Sequence, residues 1–100
     1  MITYVVDLEV DAAIAAEYLP WLREHVREML ALPGFVDAQV FERLEPASPP
    51  GSVVYSVHYR LRERAAFDDY LDRHAAAMRG AGARFGQRVR ASRMLLQALE

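Results

Sequence analysis

Val53-Val54-Tyr55-Ser56-Val57-His58-Tyr59-Arg60-Leu61-Arg62 alternates almost without fault between apolar and polar side chains. Successive residues of a strand point to opposite faces, so Val53, Tyr55, Val57, Tyr59 and Leu61 share one side. Val54, Ser56, His58, Arg60 and Arg62 share the other. A strand of this kind is buried on one face only, and the rest of the chain has to supply the cover. Downstream, Phe67, Tyr70, Leu71, Ala75 and Met78 recur at helical spacing and predict a helix over about 64–79, ended by Gly80-Ala81-Gly82. Residues 83–87 carry no clear pattern. A final strand is expected over about 88–97, in which Val89, Ala91 and Leu95 compete with Met94 and Leu96 for the core side.

Upstream, Pro46-Ala47-Ser48-Pro49-Pro50-Gly51-Ser52 reads as an exposed loop between antiparallel neighbours, because its prolines cannot donate to a ladder. The strand before it spans about 35–45, with Val36, Ala38, Val40 and Leu44 opposite Asp37, Gln39, Phe41 and Arg43. Before that, Ile14, Tyr18, Leu22, Val26 and Met29 form the stripe of a helix over about 12–32, capped by Asp11 and ended by Pro33-Gly34. Pro20 removes an amide donor and crowds the Ala16 carbonyl, which predicts a bend or restart near Leu19. Residues 2–10 alternate again, with Ile2, Tyr4, Val6, Leu8 and Val10 facing away from Thr3, Val5, Asp7 and Glu9.

The order strand, helix, strand, strand, helix, strand describes one α+β domain over residues 1–100, of ferredoxin-like βαββαβ type. An internal match supports it. Tyr18, Trp21, Leu22, His25 and Met29 recur 49 positions later as Phe67, Tyr70, Leu71, His74 and Met78, and the same shift carries Thr3, Val5, Leu8 and Val10 onto Ser52, Val54, Val57 and Tyr59. Right-handed crossovers place both helices on one face of a four-stranded antiparallel sheet. The other face is left open, and its expected members include Val5, Asp7, Gln39, Phe41, Val54, Ser56, His58 and Arg60. A small chain gains by burying such a face, which predicts a homodimer formed through or beside it.

Composition excludes several functions. With no cysteine there are no disulfides, thiolate metal sites or thiol catalysis. No run approaches the ~18 apolar residues of a membrane span, and Met1-Ile2-Thr3-Tyr4 lacks the basic start of a secretory signal, so a cytoplasmic setting is expected. A net charge of −2 exerts no general pull on nucleic acid or membrane. That balance hides a division: residues 1–50 hold nine acids and three arginines (−6), residues 51–100 nine arginines and five acids (+4). Arg79 through Arg93 contains five arginines, yet Tyr55 and Tyr59 face the helices, so the open face lacks the aromatic platform on which RNA-recognition domains stack bases. No phosphate loop, dinucleotide fingerprint or paired metal-ligand motif occurs.

Several stretches together resemble a bacterial family, domain of unknown function 4286. They are Asp7-Leu8-Glu9-Val10-Asp11, Glu17-Tyr18-Leu19-Pro20-Trp21-Leu22-Arg23-Glu24-His25, Pro33-Gly34-Phe35, Tyr59-Arg60-Leu61-Arg62, Phe67-Asp68-Asp69-Tyr70-Leu71 with His74-Ala75, and Arg84-Phe85-Gly86. The resemblance spans nearly the whole chain and implies a ferredoxin-like, dimeric α/β-barrel architecture without an established activity. The chain is also distantly similar to cofactor-free antibiotic-biosynthesis monooxygenases of that architecture.

Two functions follow. The favoured one is a non-catalytic homodimer that binds a small-molecule ligand or a protein and needs no cofactor. The alternative is a cofactor-free monooxygenase-like enzyme acting on a small aromatic substrate in the barrel cavity, with His58 as base, Arg60 steadying an anion and Gln39 orienting. The enzyme requires a pocket on the order of 300 Å3 beside His58. His25 and His74 are expected at the edge of the apolar stripe, each with a ring nitrogen bonded to an oxygen, and no metal set is expected.

Overall fold

The computed structural model describes residues 1–100. Strands β1 (Ile2–Asp11), β2 (Phe35–Glu42), β3 (Ser52–Leu61) and β4 (Val89–Gln97) form one antiparallel sheet in the order β2-β3-β1-β4. Helix α1 (Ala15–Leu30) joins β1 to β2, while α2 (Arg64–Arg73) and α3 (Ala75–Gly80) join β3 to β4. This is the ferredoxin-like arrangement, with the helices on one face.

Parity in β3 sets that face. Ile2, Tyr4, Val6, Leu8 and Val10 stand in register with Leu61, Tyr59, Val57, Tyr55 and Val53, so the two central strands present matched apolar pairs to the helices. Tyr18, Leu22, Val26 and Met29 of α1 and Phe67, Tyr70 and Ala75 of the second connection complete the core. Tyr4 lies at its centre, with ring centroids 4.9 Å from Phe67, 5.8 Å from Tyr70 and 6.0 Å from Tyr59.

Five local expectations need correction. Pro20 sits inside α1, which runs through it without a restart. Both Pro20 and Ala16 are exposed, so water can serve the carbonyl that loses its amide partner. A short 3-10 turn over Ala12–Ile14 precedes α1, with Asp11 Oδ1 accepting from Ala13 N at 2.9 Å. In β2 a bulge falls between Phe35 and Asp37. It turns Phe35 inward, edge-on to Tyr59 and Tyr70, and leaves Val36 42% exposed instead of facing the helices. The second helix is broken at His74, whose φ of −126° is not helical, and Leu71 ends 43% exposed instead of joining the stripe.

The last strand is decided by its pairing with β1. Tyr4, Val6, Leu8 and Val10 oppose Leu95, Arg93, Ala91 and Val89, so odd-numbered residues of β4 face the helices. Met94 and Leu96 lie on the open face, 51% and 46% exposed. Val5 and Val54, expected to be uncovered there, are only 2% and 3% exposed. Val5 sits in register between His58 and Met94, and Val54 beside Glu9, where longer neighbours shade a short side chain.

Candidate functional site

Helix α1 brings Tyr18, Trp21, Leu22, His25 and Met29 to its inner side by their three- and four-residue spacing. Between that side and the sheet lies a cavity of about 260 Å3, with 14 of its 19 lining residues hydrophobic. Predominantly apolar walls with a few polar groups are the usual character of a small-molecule site. The polar groups come from separate elements: Tyr4 of β1, Tyr18 and His25 of α1, Tyr59 of β3, Tyr70 of α2, Arg79 of α3 and Arg93 of β4. No aspartate or glutamate lines it.

The α1 wall is aromatic. Trp21 and His25, one helical turn apart, stack with centroids 4.9 Å apart and planes 12° from parallel. Phe85 closes edge-on against Tyr18 at 4.9 Å and Trp21 at 5.2 Å. The Trp21 ring passes so close to the backbone at Gly82 that a Cβ there would meet it at 3.3 Å.

His25 is chemically the most distinct member. Burial pushes its pKa below the usual value, with Glu28 partly opposing the shift, so the imidazole is neutral at pH 7. Its Nδ1 is buried without a hydrogen-bond partner. A neutral imidazole in a cavity wall has one unprotonated ring nitrogen with which to accept a proton. The tyrosines are not. Burial raises Tyr18 and Tyr70 to about 12 and Tyr59 higher still, so these phenols stay protonated. Arg79 donates from Nη2 to the Tyr4 hydroxyl at 3.2 Å.

The residues singled out from sequence lie on the opposite side of the sheet. Thr3, Asp37, Gln39, Phe41, His58 and Arg60 border a groove of about 420 Å3 on the open face, where only two of seven lining residues are hydrophobic. Arg60 forms a two-point ion pair with Asp37, Nε to Oδ1 at 2.7 Å and Nη2 to Oδ2, which lowers the carboxyl pKa and raises that of the guanidinium. That guanidinium is therefore already committed. His58 Nε2 lies 3.1 Å from Ser56 Oγ, and its ring meets Phe41 at 4.9 Å. In register His58 neighbours Gln39 and Val5, whereas Asp7 neighbours Ser56 and Ser92 and keeps Oδ1 buried without a partner.

Tyr4, Trp21, Tyr70, Arg79 and Arg93 were not recognised as site residues from the sequence. One signal was present: Trp21 with His25 and Tyr70 with His74 are the positions that the 49-residue repeat preserves.

The family model for Domain of unknown function (DUF4286) matches residues 1–99. The chain belongs to that family. No curated protein matches the sequence. Among solved structures, it is similar to the heme degrader MhuD from Mycobacterium tuberculosis, in a structure with two hemes bound in its active site. That match has a TM-score of 0.76 at 19% identity, over all of this chain and 97% of the other. SnoaB, a cofactor-independent oxygenase from Streptomyces nogalater, matches at TM-score 0.70 and 17% identity, over 99% and 93% of the two chains. An antibiotic biosynthesis monooxygenase matches at TM-score 0.67 and 18% identity over both chains in full. At these identities the DUF4286 chain shares their fold, and chemistry does not travel with a fold. The favoured expectation of a non-catalytic binding dimer is corrected in favour of the enzyme alternative, because the solved structures that share the fold include a heme degrader, a cofactor-independent oxygenase and a monooxygenase. No helix of the chain is long and apolar enough to cross a membrane.

Proposed function

We propose that this DUF4286 protein is a cofactor-free, oxygenase-like enzyme acting on a small aromatic substrate held between α1 and the sheet. A single observation carries this reading: a neutral histidine lines an aromatic cavity that also holds arginines and no carboxylate. His58, Arg60 and Gln39 border the open-face groove, and this proposal gives them no step in the reaction.

The reaction suited to such a site is oxidation of an acidic methylene flanked by aromatic rings. His25 takes one proton from carbon, and the resulting carbanion, spread into the rings, passes one electron to dissolved dioxygen. Recombination forms a C–O bond and gives a hydroperoxide. Loss of the second carbon proton and cleavage of the O–O bond leave a ketone and water, so R2CH2 + O2 becomes R2CO + H2O. The cation of His25 returns its proton to the departing oxygen. The aromatic wall of Trp21, His25 and Tyr18 holds a flat ring.

The test is dioxygen uptake with anthrone, a tricyclic compound with one acidic methylene. The reading expects catalysed uptake with one ketone formed per dioxygen, and at least a hundredfold loss in His25→Ala at unchanged folding, the usual worth of a general base being about 10²–10⁴. Uptake that is no faster than the uncatalysed reaction, or unchanged in His25→Ala, refutes it.

The open face is proposed as the homodimer surface, with Val5, Asp7, Gln39, Phe41, Val54, Ser56, His58 and Arg60 in or beside it. In support, Phe41, Met94 and Leu96 are all 40% exposed or more on that one face. Sedimentation equilibrium is expected to show a dimer at tens of micromolar and a monomer after Met94→Asp; a monomeric parent protein overturns this.

A further inference from the structure

Neither of the cavity's two arginines has an acidic partner. All four ion pairs of the chain use other arginines, namely Arg27, Arg60, Arg64 and Arg73. No acidic residue occurs between Asp72 and Glu100, the segment that supplies both Arg79 and Arg93. Elements distant in sequence bring phenols to them. The Tyr4 hydroxyl accepts from Arg79, and both guanidiniums lie near enough to the Tyr70 phenol to oppose the rise that burial imposes on its pKa. Arg93 lies in register with Val6, on the helix-facing side of β4, where an ordinary core strand would carry an apolar residue.

Both arginines line the cavity yet remain exposed to water, so an anion there meets two guanidiniums for which no carboxylate of the lining competes. A guanidinium is planar and offers parallel N–H donors that match a carboxylate, and phenolic hydroxyls can donate to the same oxygens. The aromatic wall formed by Trp21, His25 and Tyr18 favours a flat ring on the same ligand. We infer that the substrate is an aromatic carboxylate, its carboxylate held by Arg79 and Arg93 with the Tyr4 and Tyr70 hydroxyls. This assignment deepens the proposed function and rests on the cavity being the substrate site.

Two bicyclic probes that differ by one group test it: 1-hydroxy-2-naphthoate and 1-naphthol, titrated calorimetrically into the full chain at low salt. The carboxylate is expected to bind at least tenfold more tightly, and the ratio is expected to shrink in 0.5 M NaCl as the charges are screened. Arg93→Gln is expected to remove most of the preference while leaving the naphthol affinity within about twofold. Arg79→Gln is expected to act likewise, with circular dichroism verifying that each variant is folded. Equal affinity for the two probes, absence of carboxylate binding, or a preference that survives both substitutions overturns the assignment. The anthrone assay separates the two readings. Anthrone oxidation without a carboxylate preference sinks the anion site alone, and a carboxylate preference without dioxygen uptake sinks the oxygenase chemistry alone.

Discussion

Gly34 is the position at which a single methyl group does the most calculable damage. Its φ is +85°, in the left-handed region that side chains resist. A Cβ built there falls 2.3 Å from the Cβ of Ala66 in α2. Carbon atoms rest about 3.5–4.0 Å apart, so the two must separate by more than 1 Å. Both atoms are fixed directly to backbone, and no rotamer change can relieve the contact. The Gly34 carbonyl also accepts from Arg62 N at 3.0 Å, which ties this turn to the end of β3. The left-handed conformation costs an alanine about 1–2 kcal/mol, and overpacking typically adds about 1–3 kcal/mol. Gly34→Ala should therefore destabilise the domain by about 2–5 kcal/mol, with a melting temperature lower by at least about 8 °C for a chain of this size. Urea denaturation followed by Trp21 fluorescence and far-ultraviolet circular dichroism measures the loss. Adding Ala66→Gly removes the clash but not the strained φ, so the double variant should recover part of the stability despite the roughly 0.5–1 kcal/mol cost of a helical glycine. A Gly34→Ala protein within about 0.5 kcal/mol of the parent, inside the range of neutral surface changes, would show that the packing of α2 on this turn is misjudged.

Four other outcomes follow from burial and titration. Leu22 and Leu71 are partners in the 49-residue repeat but are 2% and 43% exposed, so Leu22→Ala should cost about 2–5 kcal/mol and Leu71→Ala under about 1 kcal/mol in the same urea assay. If the two losses are equal, the break at His74 does not turn Leu71 outward in solution. Because His25 has a depressed folded pKa, anthrone oxidation should rise with pH through a midpoint below 6.5 and stay level above it; a midpoint above 6.5 excludes His25 as the base. The same depression removes stability as pH falls from the unfolded value through the folded one, and His25→Gln should blunt that acid sensitivity. Tyr18 and Tyr70 have the opposite linkage. With phenols raised to about 12, the folded state holds protons that the unfolded chain releases near 10, so stability should decline as pH rises from 10 to 12. Absorbance of tyrosinate should then appear together with loss of the far-ultraviolet signal; full ionisation in the folded state would contradict the burial.

The sequence by itself determined the element order, the parity of the two central strands and the side of the sheet the helices cover. Those properties are written in local periodicity: Tyr4, Val6 and Leu8 or Tyr55, Val57 and Tyr59 cannot change face without exposing every apolar residue of the strand. The bulge beside Val36, the break at His74 and the register of β4 were decided by packing between distant elements. Phe35 gains two aromatic neighbours by turning inward, and β4 takes its parity from β1 because Met94 and Leu95 are equally apolar read alone. The candidate site was the least legible part for the same reason. His58 stood out through its strand neighbours, whereas His25 acquires its buried, unpartnered nitrogen only when α1 lies on the sheet. Arg79 and Arg93 reach Tyr70 across three elements that share no local pattern, and only the closed fold makes those charges neighbours.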